Sequence, residues 1–261
     1  MIRSIKKSFS AALLLSGLFA VQVSDAASTE SLKGTNVVLV HGAFADGSSW
    51  DKVIPLLEAR GLHVVAVQNP LSSLADDVAA TKRAIDQQSG PVVLVGHSWG
   101  GVVISEAGND DKVKSLVYVA AFAPDNGQSI EDMTRGKAAP AWVSELHTDA
   151  GGYLTLSTKA VLEDFAQDLP VPQRRLIAET QGPWASGCIG AKITQAAWHD
   201  KPSWFVVARQ DHMIDPDLQQ TMANNIGAHV TRVDASHVTM VSQPKAVADA
   251  IIAAAQAAHR E

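Results

Sequence analysis

Short apolar runs punctuate the chain, and amphipathic stretches separate them. Val37-Val38-Leu39-Val40 follows Asn36 and stops at His41-Gly42-Ala43-Phe44, and Val92-Val93-Leu94-Val95 stops at Gly96. His63 to Val67, Ser115 to Ala121, Ser203 to Ala208 and His229 to Val233 complete the series. Runs of β-branched residues and leucine without strict alternation suit strands buried on both faces, the signature of a parallel sheet. The stretches between them carry helical spacing. Trp50, Val53, Ile54 and Leu57 predict a helix from Ser49 to Arg60 with Gly61 as its stop. Ser73 followed by Asp76 reads as a helix start, with Leu74, Val78 and Ile85 on one face. Further helices are expected after Gly101, from Pro216 to Ile226, and from Gln243 onward, where Pro244 occupies the first turn and Val247, Ile251 and Ile252 face inward. Strand alternating with helix predicts a parallel sheet covered on both faces.

The alternation lapses between Pro124 and Lys201. This part is rich in turn residues, carries Trp142, Trp184 and Trp198 with Met133 and Phe165, and has only modest helical spacing near Lys159 to Phe165 and Arg174 to Thr180. Inserted between two strands of the sheet, residues 125–201 read as a cap over the strand ends; the alternative is a pair of surface helices whose tryptophans fill a local core. At the other extreme, residues 1–26 place Arg3, Lys6 and Lys7 before an apolar stretch from Ala11 to Val23 and close on Ser24-Asp25-Ala26. That is the layout of a secretory signal, and the apolar part is shorter than the roughly 20 residues that span a bilayer. An exported protein, periplasmic or secreted and without stable membrane association, is expected. Residues 27–261 are then one domain, since no linker or repeat divides them.

Charge and cysteine content narrow the picture. The formal charge of −6 becomes −8 when a signal holding three basic residues and one acid is removed, which gives no footprint for nucleic acid. Cys188 is the single cysteine, so no internal disulfide forms and the core must hold the exported chain together. Ser-Gly-Cys-Ile-Gly around it lacks the flanks of a nucleophile turn.

The candidate chemistry sits where apolar runs end. Gly96-His97-Ser98-Trp99-Gly100 is a Gly-x-Ser-x-Gly turn between a strand run and Gly101-Val102-Val103-Ile104, and it reads as an elbow that lifts the Ser98 hydroxyl above the sheet. Serine needs a base to take its proton, and the base needs a carboxylate to fix its tautomer. Ser98, Asp211 and His237 each follow an expected strand, in the order serine, acid, histidine. Asp125, Asp215 and Asp217 are the competing acids; the last two flank Pro216 at a helix start, where carboxylates are favoured without any catalytic role. His41 and His97 adjoin the glycine turns and read as structural. Developing negative charge needs waiting donors, and the backbone N–H groups of Ala43 and Trp99 are the candidates. No histidine pair has i, i+4 spacing around a glutamate, so neither metal nor cofactor is implied.

From Val37 onward the chain resembles the compact α/β-hydrolases that include plant salicylate methylesterase, plant hydroxynitrile lyases and bacterial small-ester and pyrethroid esterases. His41-Gly42-Ala43-Phe44, Gly96-His97-Ser98-Trp99-Gly100-Gly101, Tyr118-Val119-Ala120-Ala121-Phe122-Ala123-Pro124 and Ala235-Ser236-His237 through Pro244 carry the likeness. The resemblance implies a six-stranded, mostly parallel sheet with an inserted cap. It puts the triad on Ser98, Asp211 and His237 and the oxyanion amides on Ala43 and Trp99, and it implies a small-molecule ester as substrate. Three functions stay open: an ester hydrolase, a cyanohydrin lyase or perhydrolase on the same triad, and a non-catalytic small-ligand receptor. Against the lyase, the resemblance aligns Gly42 and Val238 with a threonine and a lysine of the lyases.

Overall fold

The computed structural model describes Met1 and residues 32–259. The expected export signal therefore lies, beyond Met1, outside the described residues. Strand β1 (Asn36–Val40) leads through a 3-10 turn (Gly47–Trp50) to α1 (Ile54–Glu58), β2 (His63–Val67), α2 (Leu74–Asp86), β3 (Val92–His97), α3 (Trp99–Ala107) and β4 (Val113–Val119). An irregular region follows, with α4 (Ile130–Thr134), β5 (Leu146–Thr148), β6 (Tyr153–Leu156), α5 (Thr158–Ala160) running into a π-helical turn (Val161–Phe165), α6 (Val171–Thr180) and β7 (Trp184–Ala185). Regular alternation returns with β8 (Ser203–Ala208), α7 (Pro216–Asn225), β9 (His229–Val233), α8 (Thr239–Ser242) and α9 (Pro244–His259).

The main sheet has six strands in the order β2-β1-β3-β4-β8-β9, and every neighbouring pair is parallel. Its centre is dry. Val37 to Val40 and Val92 to Val95 are all 0% exposed, and each such side chain contributes about 1.5–3 kcal/mol relative to exposure. Strand order reverses between β1 and β3, so the loops leaving their carboxyl ends diverge and open a crevice at that edge. Register sets its level: Val40 lies beside Gly96, and Gly96 beside Tyr118. The turns after β1, β3, β8 and β9 consequently surround one end of the sheet.

Two sequence expectations are corrected, and one element has no sequence signature. The helix expected from Ser49 to Arg60 is broken into the 3-10 turn, capped by Asp46, and a short α1 with Pro55 in its first turn; proline lacks the N–H that would join the two pieces. Strand β4 begins at Val113 and ends at Val119 rather than running from Ser115 to Ala121, because Ala120 turns to φ 43° and leaves the extended conformation. Residues 125–201 contain a second, antiparallel sheet, β5-β6-β7. Its strands have three, four and two residues, too short to leave an alternating pattern. The Ser73 start is as expected, with the Ser73 hydroxyl oxygen accepting from Asp76 N–H at 3.1 Å.

Candidate active site

Only Ser98 separates the end of β3 from the start of α3, and it carries the whole change of direction at φ 53°, ψ −119°. Such a backbone costs a non-glycine residue about 1–3 kcal/mol and persists only where neighbours hold it. They do so by hydrogen bonds: Ser98 N–H donates to Val119 O at 3.3 Å, while Ser98 O accepts from Gly101 N–H at 3.0 Å and Phe122 N–H at 3.2 Å. The glycines supply clearance. A methyl group at Gly96 would meet Gly100 O at 2.5 Å, one at Gly100 would meet Val40 O at 2.5 Å, and one at Gly101 would overlap Phe122 O.

The loop after β1 closes over the elbow just as tightly, since a Cβ at Gly42 would lie 2.7 Å from Ser98 Cβ. His41 orients this loop. Its Nδ1–H donates to Gly42 O at 2.9 Å, and its Nε2 accepts from Asn69 N–H at 2.9 Å; the two partners together fix the tautomer. Burial pushes this imidazole below its usual range, keeping it neutral. With the Gly42 carbonyl turned to His41, planarity of the trans peptide sends Ala43 N–H the opposite way. Ala43 N–H and the Trp99 N–H at the first turn of α3 find no protein acceptor among the described residues. Phe44, next in line, has φ 60°, a second strained residue at the same place.

Asp211 and His237 meet behind the elbow, their side chains 0% and 2% exposed, with His237 Nδ1–H donating to Asp211 Oδ2 at 2.8 Å. Every lone-pair direction of the carboxylate is answered: Oδ1 accepts from Met213 N–H at 2.7 Å and Ile214 N–H at 3.0 Å, and Oδ2 also accepts from Gln219 Nε2–H at 2.7 Å. The competing acids are placed differently. Asp215 caps α7 and Asp217 lies in its first turn, while Asp125 pairs with exposed His199 at 2.7 Å. His97, wholly buried, donates from Nε2 to His237 O at 3.0 Å, and burial holds its imidazole well below the usual range. The segment after β6 grips both loops, through Ser236 N–H to Asp168 Oδ2 at 2.9 Å and Gln167 Nε2–H to Gln210 O at 2.5 Å.

Ala43, Ser98, Trp99 and His237 open on one cavity of about 310 Å3. Residues between β4 and β8, among them Ile130, Trp142, Leu146, Phe165 and Trp184, form most of its remaining wall. The Trp184 ring stands edge-on to Phe44 at 5.8 Å and tilted against Trp99 at 5.4 Å, and Phe165 packs on the His237 ring at 5.3 Å. Trp99 is anchored from below, its Nε1–H donating to buried Asp77 Oδ2 at 2.7 Å, and Asp77 Oδ1 accepts from Leu71 N–H at 2.8 Å. Burial pushes the Asp77 carboxyl up. Cys188 is buried beside this aromatic cluster, its thiol pushed up to about 12 by burial and then by Asp77.

Gln219, Asp77, Asp168 and the orienting role of His41 are not singled out by the sequence. A glutamine on a helix and an aspartate in a first helical turn are ordinary surface choices, and only tertiary contact makes them otherwise. Among the described residues, no cluster of three or more His, Cys, Asp or Glu side chains is placed to hold a metal ion.

Comparison with known proteins agrees with this architecture. The chain is 29% identical over 259 residues to Methylesterase 2 of Arabidopsis thaliana, covering 87% of this chain and 98% of that protein. It is 26% identical over 247 residues to the Alpha-hydroxynitrile lyase of the same plant, covering 84% and 96%. The crystal structure of a pyrethroid hydrolase from Sphingobium faniae JZ-2 superposes with a TM-score of 0.74 at 23% identity, covering 87% of this chain and 99% of that one. The sequence profile of the alpha/beta hydrolase family matches residues 37–250, and the chain belongs to that family.

Proposed function

We propose that the protein is a serine hydrolase of small carboxylic esters, working through an acyl-serine intermediate. The observation that carries this reading is the junction of a serine on a strained elbow with a buried, fully hydrogen-bonded Asp211–His237 pair at one cavity. Asp211 holds the His237 proton on Nδ1, which leaves Nε2 as the base. The Ser98 hydroxyl oxygen attacks the ester carbonyl carbon as its proton passes to His237 Nε2. The carbonyl oxygen, now negative, is met by Ala43 N–H and Trp99 N–H, donors held in place before the reaction begins. The carbon–oxygen bond to the alcohol breaks, and the His237 proton goes to the departing oxygen. Water then repeats the sequence and releases the acid.

The apolar wall favours an apolar acyl or alcohol group, and residues 125–201 act as the cap over it. The lyase alternative is weakened at Gly42, which has no hydroxyl and, with Ser98 Cβ so near, no room for a side chain. An export signal in residues 1–26 is part of the same reading; among the described residues, no helix is long and apolar enough to cross a membrane.

Ser98→Ala tests the core of the proposal. Nitrophenyl acetate turnover is expected to fall by several orders of magnitude, leaving only residual oxyanion-hole catalysis in a protein with unchanged melting behaviour. Retained turnover would exclude Ser98 as nucleophile.

A further inference from the structure

Gln219 projects from α7 into the interior, 0% exposed. Its Oε1 accepts from Ala208 N–H at 3.1 Å, at the last residue of β8. Its Nε2 donates to Ile214 O at 2.8 Å and to Asp211 Oδ2 at 2.7 Å. The amide cannot be reversed: the oxygen faces a donor, and the nitrogen faces a carbonyl and a carboxylate. One side chain thus ties the end of the strand, the acid and the loop beyond it. It shares with His237 the very carboxylate oxygen that orients the imidazole.

We propose that Gln219 is a positioning residue for catalysis, whose amide N–H holds the Asp211 carboxylate in line with His237 and shares the negative charge on its Oδ2. This rests on the triad reading above. A hydrogen bond to a carboxylate draws charge from the oxygen that accepts it. With that donor present, Oδ2 attracts the protonated imidazole less strongly; without it, the imidazolium is favoured. Other ionisable groups on the elements packed about the pair are buried His97 with His41 beyond it, Asp164 with its partner His212, Asp168, Asp215 and Asp217 at the start of α7, and the Arg209–Asp234 pair. Among these groups, none hydrogen-bonds the Gln219 side chain, which meets only Ala208 N–H, Ile214 O and Asp211 Oδ2.

The experiment compares wild type, Gln219→Leu and Gln219→Glu by kcat/KM for nitrophenyl acetate against pH, with a melting curve at each pH. Gln219→Leu is expected to move the acid limb of the profile to higher pH by about half a unit or more. Its plateau should fall on the order of ten- to a hundred-fold, as when the partners of metal-bound imidazoles are removed. Gln219→Glu fills the same volume and keeps an acceptor for Ala208 N–H, but it donates to Asp211 only while protonated. Two adjoining carboxyl groups share one proton, so this variant should work best at the acid end and gain a descending limb that the wild type lacks. A merely structural glutamine would lower the melting temperature and leave both limbs where they are, and that result would overturn the proposal. Should Gln219→Leu fail to fold, the descending limb of Gln219→Glu decides alone. If Asp211→Asn keeps wild-type kcat, the triad reading has failed; if Asp211→Asn loses activity while the Gln219 profiles match wild type, only this inference has.

Discussion

Replacing Asp211 by asparagine changes one atom and removes one charge, and the geometry says which way the new amide must sit. Each carboxylate oxygen receives two N–H donors, so the NH2 group of asparagine faces donors in either orientation. Placed at the Oδ1 side, it opposes the backbone N–H groups of both Met213 and Ile214, and two buried donors lose their partner at about 1–3 kcal/mol each. Placed at the Oδ2 side, it opposes Gln219, which can still donate to Ile214 O, and it offers a proton to His237 Nδ1. The second orientation is the cheaper. It makes Nδ1 an acceptor and moves the imidazole proton to Nε2, the atom that must take the proton of Ser98. The expected loss in kcat is on the order of 10⁴, as seen in serine proteases, or about 5.5 kcal/mol of barrier. Stability should fall by only about 1–3 kcal/mol, one unsatisfied donor's worth. Steady-state kcat on nitrophenyl acetate and a urea melt measure the two effects separately. An Asp211→Asn enzyme within a few-fold of wild type, or a comparable loss in Asp215→Asn, would refute the assignment of the acid.

Gly42→Ala should lower kcat by about 10²–10³, the value of one oxyanion donor, because its Cβ would stand 2.7 Å from Ser98 Cβ and 2.9 Å from His97 Nδ1; wild-type kcat in this variant would show that the Ala43 amide is not needed where it lies. The two buried imidazoles, His41 and His97, titrate below their ordinary 6.5 in the folded protein, so below that pH the unfolded chain binds protons that the native state refuses. Stability is therefore full above 6.5 and drops as pH falls, by up to about 1.4 kcal/mol per pH unit for each histidine. Urea midpoints at successive pH values from 7.5 to 5.5 check this, and a flat series would contradict it.

Much of this site is legible in the sequence because each piece sits at the end of a strand, and buried parallel strands advertise themselves as unbroken apolar runs. Val37 to Val40 and Val92 to Val95 locate the sheet's centre, and the glycines beside Ser98 have one reading once the strand before them is recognised. What the sequence hides is whatever depends on contact across the fold. Gln219 looks like a solvent-facing helix residue until β8 and the Asp211 loop are seen to close over it. Asp77 looks like a helix-start acid, yet it is buried beneath Trp99. The sheet β5-β6-β7 leaves no pattern because its strands are too short for alternation, and it is held instead by pairing and by contacts such as Ala185 N–H to Leu71 O at 2.9 Å. The break in the first helix is hidden for a related reason: apolar spacing continues through Pro55, and the missing N–H outweighs it.

The central claim is that Ser98 is the nucleophile, and an active-site titration with a fluorophosphonate followed by peptide mass analysis tests it directly. One adduct per chain is expected, on the peptide holding Ser98, with turnover lost in proportion; Cys188, its thiol pushed up to about 12, should stay unmodified by iodoacetamide in the folded protein at pH 8. An adduct on any other residue, or full labelling at Ser98 with turnover intact, would contradict the account.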